Sequence, residues 1–277
     1  MKGLGVALVS LLIVSAVLCS PVAGETISYW RLEGDLTDSV GDNDLQAGSE
    51  SNYGWNESGL YGSDVPLTDA SNNDAVVLDG DSLSVSGSGG VWTPSTFTIE
   101  CFVNPTAPST GPTTQHLAGV WDATNQSWAL DMSNGAPRLR VRDIDNTEIA
   151  VTADQALTSG ETYAVAGMLS DSELSLYSRQ LGDDAYSLLG SASLSAWDGL
   201  ETLDDSLYIG DKPGWSGDTD YGGVMDEVRF SSGALGEAEL LATPEPTTTC
   251  LAIAAAAAGV FAVWRKKRKA ASQEEAA

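Results

Sequence analysis

The chain has 277 residues, with thirty-nine acidic side chains against thirteen basic ones and a formal net charge of −26. A charge of this size and sign excludes nucleic acid and anionic lipid as partners of the bulk surface, and it makes divalent cations the natural counterions. A single histidine, His116, and three cysteines leave little material for zinc sites or Ser/His/Asp triads.

Lys2 precedes an apolar stretch from Leu4 to Leu18, and Pro21-Val22-Ala23-Gly24 offers small residues to a signal peptidase. Residues 1–24 therefore read as a secretory signal peptide. Leu18, where lipoprotein processing wants a small residue, argues against lipidation of Cys19. Residues 25–243 follow as one domain, large enough for a sizeable core and undivided by any proline-rich linker. It holds thirty-six acidic and seven basic side chains, and most of the carboxylates read as a solvated surface. Cys101 is its only cysteine, so no internal disulfide forms, and its alternation with Phe97, Ile99 and Val103 makes it a buried small hydrophobe.

Period-two alternation predicts strands over Ile27 to Glu33, Ala75 to Asp79, Phe97 to Val103, Ser127 to Asp131, Arg138 to Asp143, Tyr163 to Leu169, Glu173 to Tyr177, Leu207 to Ile209 and Val224 to Phe230. Ser133-Asn134-Gly135 and Leu169-Ser170-Asp171-Ser172-Glu173 read as tight hairpin connections. His116 falls in a Thr/Gln loop, and only Leu235 to Ala242 reads as a short helix. Nine short strands between Gly, Asn, Asp and Ser clusters mean an all-β sandwich or barrel.

Several stretches, in order, carry a family resemblance. They are Tyr29-Trp30-Arg31-Leu32-Glu33-Gly34 with Asp38-Ser39-Val40-Gly41-Asp42-Asn43; Leu78-Asp79-Gly80 with Leu83-Ser84-Val85; Phe97 to Pro105, with Phe102 where a tryptophan is usual; and Tyr221 to Phe230, followed by Ala234-Leu235 and Glu239-Leu240. Together they resemble the laminin-G-like, concanavalin A-like domains, which implies a jelly-roll β-sandwich with its first and last strands adjacent. Related jelly rolls often hold a structural calcium near that pair. The resemblance thus makes Asp226 the first candidate ligand, with Asp79 and Glu33 behind it; a carboxylate plus carbonyls and waters suits calcium. The alternative is an Asp226 that hydrogen-bonds loop amides.

Two further features offer recognition. Arg138, Arg140 and Arg142 share one face of a strand, either as an anion contact for uronate or sulfate groups or as cross-strand partners of neighbouring carboxylates. Trp215, Asp218, Asp220 and Tyr221, in the loop from Asp211 to Gly223, join Trp55, Trp121 and Trp197 of other irregular stretches. Exposed aromatics there would stack on sugars, whereas folded-back ones would be lids on the core. No catalytic residue is assigned. The Glu-x-Asp-x-Glu triplet of jelly-roll hydrolases is missing, since Glu33-Gly34-Asp35-Leu36-Thr37 ends in threonine.

At the other end, Pro244-Glu245-Pro246 precedes an apolar run from Cys250 to Trp264 and the basic patch Arg265-Lys266-Lys267-Arg268-Lys269. The patch leaves the C-terminus cytoplasmic and the domain outside. Residues 244–269 resemble the PEP-CTERM sorting signal of Gram-negative bacteria, with a transmembrane helix over about 249–264. The tail over 270–277, with Glu274 and Glu275, departs from the family's usual end at the basic patch. The resemblance implies an exosortase-type processing enzyme as a partner and a membrane anchor before processing. A plain C-terminal anchor behind a proline-rich stalk is the alternative. The combined expectation is an exported, non-catalytic surface or matrix module that binds a polysaccharide or a surface protein. The alternatives are a purely structural matrix component and a divergent glycoside hydrolase.

Overall fold

A computed structural model describes residues 24–48, 53–61, 64–106, 114–122, 125–195, 197–203, 205–211 and 220–243. The predicted leader, the Pro-Glu-Pro segment, the apolar run and the basic patch lie outside them. Fifteen strands follow one another: β1 (Thr26–Trp30), β2 (Gln46–Ala47), β3 (Gly54–Asn56), β4 (Ala75–Asp79), β5 (Leu83–Val85), β6 (Phe97–Pro105), β7 (Thr114–Trp121), β8 (Gln126–Ser133), β9 (Ala136–Arg142), β10 (Glu148–Thr152), β11 (Tyr163–Leu169), β12 (Glu173–Gln180), β13 (Ser187–Ser193), β14 (Leu207–Ile209) and β15 (Gly222–Ser232).

They form two antiparallel sheets. An eight-stranded sheet runs β13-β12-β11-β6-β15-β4-β3, with β1 paired to β15, and a seven-stranded sheet runs β10-β9-β8-β7-β14-β5-β2. The first and last strands are neighbours, as expected. Alternation sends Ile99, Cys101, Val103, Val165, Leu174 and Leu176 of the first sheet inward against Trp128, Leu130, Leu139 and Val141 of the second. Aromatic rings bridge the layers: Trp128 stacks on Phe230 at 5.4 Å between centroids and also meets Phe97 at 4.8 Å. Trp128 donates its indole N–H to the Trp92 carbonyl at 2.6 Å, so the ring is buried without stranding its donor.

Both predicted hairpins are present. Asn134 (φ 51°) and Gly135 (φ 79°) supply the two positive φ angles of the β8–β9 turn, and Ser170 closes the β11–β12 loop by bonding the Glu173 carbonyl. Three expectations change. His116 lies on β7, fully buried, rather than in a loop. Trp121, read as irregular, ends the same strand, and Trp55 sits on β3. The predicted helix over Leu235 to Ala242 is a three-residue 3₁₀ turn, Glu237–Glu239, inside an extended segment.

That segment covers the outer face of the eight-stranded sheet. Leu235, Leu240, Leu241 and Ala242 join Leu60 and Val65 over Tyr29, Phe102, Ala164, Ala166 and Met168. The β1, β6 and β11 strands of this sheet are therefore buried on both faces, with the 57–74 loop and the C-terminal segment as their outer cover.

Candidate functional site

The most concentrated chemistry lies where β1 leaves its partner β15. Ordinary alternation would turn Asp226 outward and Glu227 inward. A register shift between Asp226 and Arg229 intervenes, and Glu227 takes a left-handed conformation with φ 50°, costly for a side-chain-bearing residue. As a result Met225 and Val228 both face the core, while Asp226 and Glu227 sit side by side on the outer face.

Glu33 completes the group, for carboxylate oxygens of Glu33, Asp226 and Glu227 all lie within 4.8 Å of one another. Asp226 and Glu227 are fully buried. One Asp226 oxygen accepts from the Leu60 amide at 3.0 Å and from Asn72 Nδ2 at 2.7 Å. Glu227 accepts from the Tyr29 hydroxyl, from Asn72 Nδ2 at 3.0 Å and from Arg31 at 3.4 Å. Glu33 accepts from the Asn73 amide at 2.9 Å and pairs with Arg31 at 3.4 Å. Three carboxylates thus tether the 57–74 loop, and among the described residues the one cation paired with them is Arg31. Burial, then the neighbouring Glu227 charge, push the Asp226 carboxyl up to about 8. Burial likewise raises Glu227, against the hydrogen bonds from Tyr29 and Asn72. Asp79, the remaining expected ligand, stands apart: it is exposed and pairs with Gly222, well along β15 from Asp226. Glu227 and Asn72 escaped the sequence reading. The signal for Glu227 was present in the three-residue step between the apolar Met225 and Val228, which breaks period two.

The second arrangement occupies the outer face of the seven-stranded sheet. Arg138, Arg140 and Arg142 alternate there with the core residues Leu139 and Val141. Asp131 on β8, fully buried, is gripped by Arg138 Nε at 2.7 Å and Arg140 Nη2 at 2.6 Å. Glu148 on β10 pairs with Arg142 at 3.0 Å. The expected cross-strand pairing is therefore present, yet it leaves donors over. Trp121 lies under two guanidinium groups, Arg140 at 4.0 Å and Arg142 at 5.0 Å from its ring centroid. The small Ala129, opposite Arg140 on the intervening strand, leaves room for that contact. Trp121 Nε1, Arg140 Nε and Arg142 Nε are buried and have no hydrogen-bond acceptor among the described residues. Burial and the Arg138 charge lower the Arg140 pKa, against the pull of Asp131.

Of the predicted aromatic loop, Trp215 and Asp218 lie outside the described residues. Asp220 is half-buried beside Gly80. Tyr221, expected against a sugar, is instead fully buried in the core, where its hydroxyl donates to the Val224 carbonyl at 3.0 Å. Trp197 also packs against the core, in the lid role.

Solved structures with the same fold include the binding domain of Paraclostridial Mosquitocidal Protein 1 (TM-score 0.60, 15% identity, covering 78% of this chain and 50% of that one). Another is the botulinum neurotoxin serotype D ligand binding domain in complex with N-acetylneuraminic acid (TM-score 0.57, 13% identity, 78% and 49%). A third is Domain 4 of AbnA, a GH43 extracellular arabinanase from Geobacillus stearothermophilus, in complex with arabinotriose (TM-score 0.50, 14% identity, 78% and 97%). The chain spans about half the length of the two toxin structures, and identities this low establish a shared fold alone. No curated protein matches the chain. The profile of one family matches residues 73–241, more than half of the sequence. The chain belongs to the concanavalin A-like lectin/glucanases superfamily.

Proposed function

We propose that this protein is a non-catalytic, exported module that binds an acidic polysaccharide through the outer face of its seven-stranded sheet. The observation that carries this reading is the set of three buried N–H donors without acceptors, on Trp121, Arg140 and Arg142, gathered around one aromatic ring. An unsatisfied buried donor is destabilising, and a carboxylate- or hydroxyl-bearing sugar would supply the acceptors. Structures of similar fold in complex with N-acetylneuraminic acid and with arabinotriose add support by analogy. A broad glycan array probed with the exported protein tests the reading. Uronate- or sulfate-bearing glycans bind, and Trp121→Ala weakens binding about tenfold or more, roughly 1.4 kcal/mol. Trp215→Ala does the same if the loop shares the site. An array without hits would leave the purely structural matrix role.

Calcium belongs to the proposal as a structural ion. Glu33, Asp226 and Glu227 present only oxygen donors, as a hard divalent cation prefers, and their charge exceeds what Arg31 balances, so the residues fit. Glu33, Asp226 and Glu227 would hold the ion, which would neutralise their mutual repulsion.

Export rests on the two termini. The sequence of residues 1–24 supports secretion, and the order Pro244-Glu245-Pro246, apolar run, Arg265 to Lys269 supports sorting by an exosortase-type enzyme to the cell surface, outer envelope or extracellular matrix. Changing Pro244, Glu245 and Pro246 to alanine should leave the protein in the membrane at unprocessed mass. Processing and location unaltered by the change would reduce the segment to a plain anchor.

A further inference from the structure

Among the described residues, the three guanidinium groups of Arg138, Arg140 and Arg142 pair with two carboxylates, Asp131 and Glu148. The two acids are held very differently. Asp131, on β8 inside the sheet, is wholly buried and accepts from Arg138 at 2.7 Å and from Arg140 at 2.6 Å. Glu148 opens β10, the edge strand, directly across from Arg142. Its side chain is 34% exposed. It accepts from Arg142 Nη2 at 3.0 Å and stands 3.9 Å from Arg140 Nη1, beyond hydrogen-bond reach.

Arg142 is held in place without Glu148. Its Nη1 donates to Asn146 Oδ1 at 2.9 Å, and its guanidinium lies over the Trp121 ring beside that of Arg140. Among the described residues β10 has no strand on its far side, so the Glu148 side chain has an open edge to turn toward. An ion pair between two part-exposed partners contributes little to stability, whereas breaking the grip on Asp131 would leave a buried charge unpaired. Glu148 is therefore the replaceable acid of the row. Once it turns aside, two guanidinium groups remain anchored on one aromatic ring with Arg142 Nη2 and Arg140 Nη1 vacated together.

We propose that Glu148 is an internal stand-in for a ligand carboxylate: an acidic sugar displaces it from Arg142 Nη2 and Arg140 Nη1, and Glu148 turns out to solvent. The inference rests on the glycan-binding reading of this face and deepens it to one carboxylate shared by two adjacent guanidinium groups, a pairing whose planar geometry suits both partners. Glu148 thereby sets specificity. A neutral sugar brings no charge to replace the one that leaves, so the ion pair stays closed against it. An acidic sugar replaces that charge, and the displaced Glu148, still nearby, limits how tightly it is held.

The test measures binding of the whole protein to polygalacturonate, alginate and hyaluronate, each beside its carboxyl-methylated form, at low ionic strength. The wild type binds the acid forms more tightly than the methylated ones. Glu148→Gln keeps the shape but removes the competing charge, so it should bind the acid forms about fivefold more tightly and leave the methylated forms unchanged. In the wild type, the resonance of the Glu148 carboxyl carbon should move on binding, as its ion pair opens. A Glu148→Gln protein that binds the acid forms equally or more weakly overturns the exchange while the glycan reading stands. So does a Glu148 resonance that stays fixed in the wild type with an acid form bound, a measurement that needs no variant. No binding of any probe to either protein removes the glycan reading and the exchange with it.

Discussion

Asp226→Ala lowers the unfolding free energy by about 3 to 5 kcal/mol at pH 5, because it takes the acceptor from the Leu60 amide, the Glu227 amide and one of the two N–H groups of Asn72, donors that each cost roughly 1 to 3 kcal/mol when left unpaired in a buried site. The cost shrinks as the pH rises. With the folded-state value of Asp226 about 8 and its ordinary value 3.8, the folded protein binds more protons than the unfolded chain between those limits. Stability from this group is complete below about pH 4 and is lost as the pH climbs toward 8, at no more than about 1.4 kcal/mol per pH unit. Glu227, raised by burial, acts with the same sign. Glu33 and Arg31 face the pair from the loop after β1, and Tyr29 and Asn72 donate to it. In EDTA the wild-type melting temperature should therefore fall between pH 5 and pH 8, and excess calcium should restore it at pH 8. Asp226→Asn should flatten the pH slope and abolish the calcium response. A melting temperature at pH 8 that is indifferent to both EDTA and calcium would remove the ion from the account. The pH slope in EDTA would stand, since burial and the neighbouring Glu227 charge produce it without a metal.

The sandwich was legible because its strands announce themselves by alternation wherever one face meets the core and the other meets solvent. Leu139 and Val141 between Arg138, Arg140 and Arg142 are a clear instance. The strands that escaped are those where alternation fails for a physical reason. β7 carries two register shifts, between His116 and Ala118 and between Val120 and Trp121, so Thr114 to Trp121 shows no clean period. β13, at the sheet edge, is mostly exposed on both faces and offers Ser187 to Ser193 little apolar contrast. The acid cluster was half legible. The adjacency of first and last strands brought Glu33 to Asp226, but loop contacts from Asn72 and Leu60 come from tertiary packing that no local pattern encodes. On the arginine row, sequence gave the shared face and the pairing with acids. It could not reveal that Trp121, two strands away, reaches across Ala129 to the guanidinium groups.

Glu100→Ala should cost about 3 to 5 kcal/mol, the usual effect of removing one partner from a buried ion pair. Glu100 is 2% exposed on β6. It accepts from Arg229 Nε at 2.7 Å and, with its other oxygen, from the Leu241 amide at 2.7 Å. Arg229 in turn donates to the Glu239 carbonyl at 2.6 Å. The pair thereby fastens the C-terminal segment to the sheet. Truncation leaves a guanidinium buried without its countercharge and frees an amide beneath Leu241. Denaturant unfolding should move by the stated amount, and hydrogen exchange at the Leu241 amide should accelerate far more than exchange in the β11 and β12 strands. The double change Glu100→Leu with Arg229→Met removes both charges together and should regain most of the loss. A single variant as mild as the double would mean that the charges do not hold the segment. Thr243, still hydrogen-bonded to the Leu240 carbonyl at 2.9 Å, directly precedes Pro244, so the clasp ends where the proposed sorting segment begins.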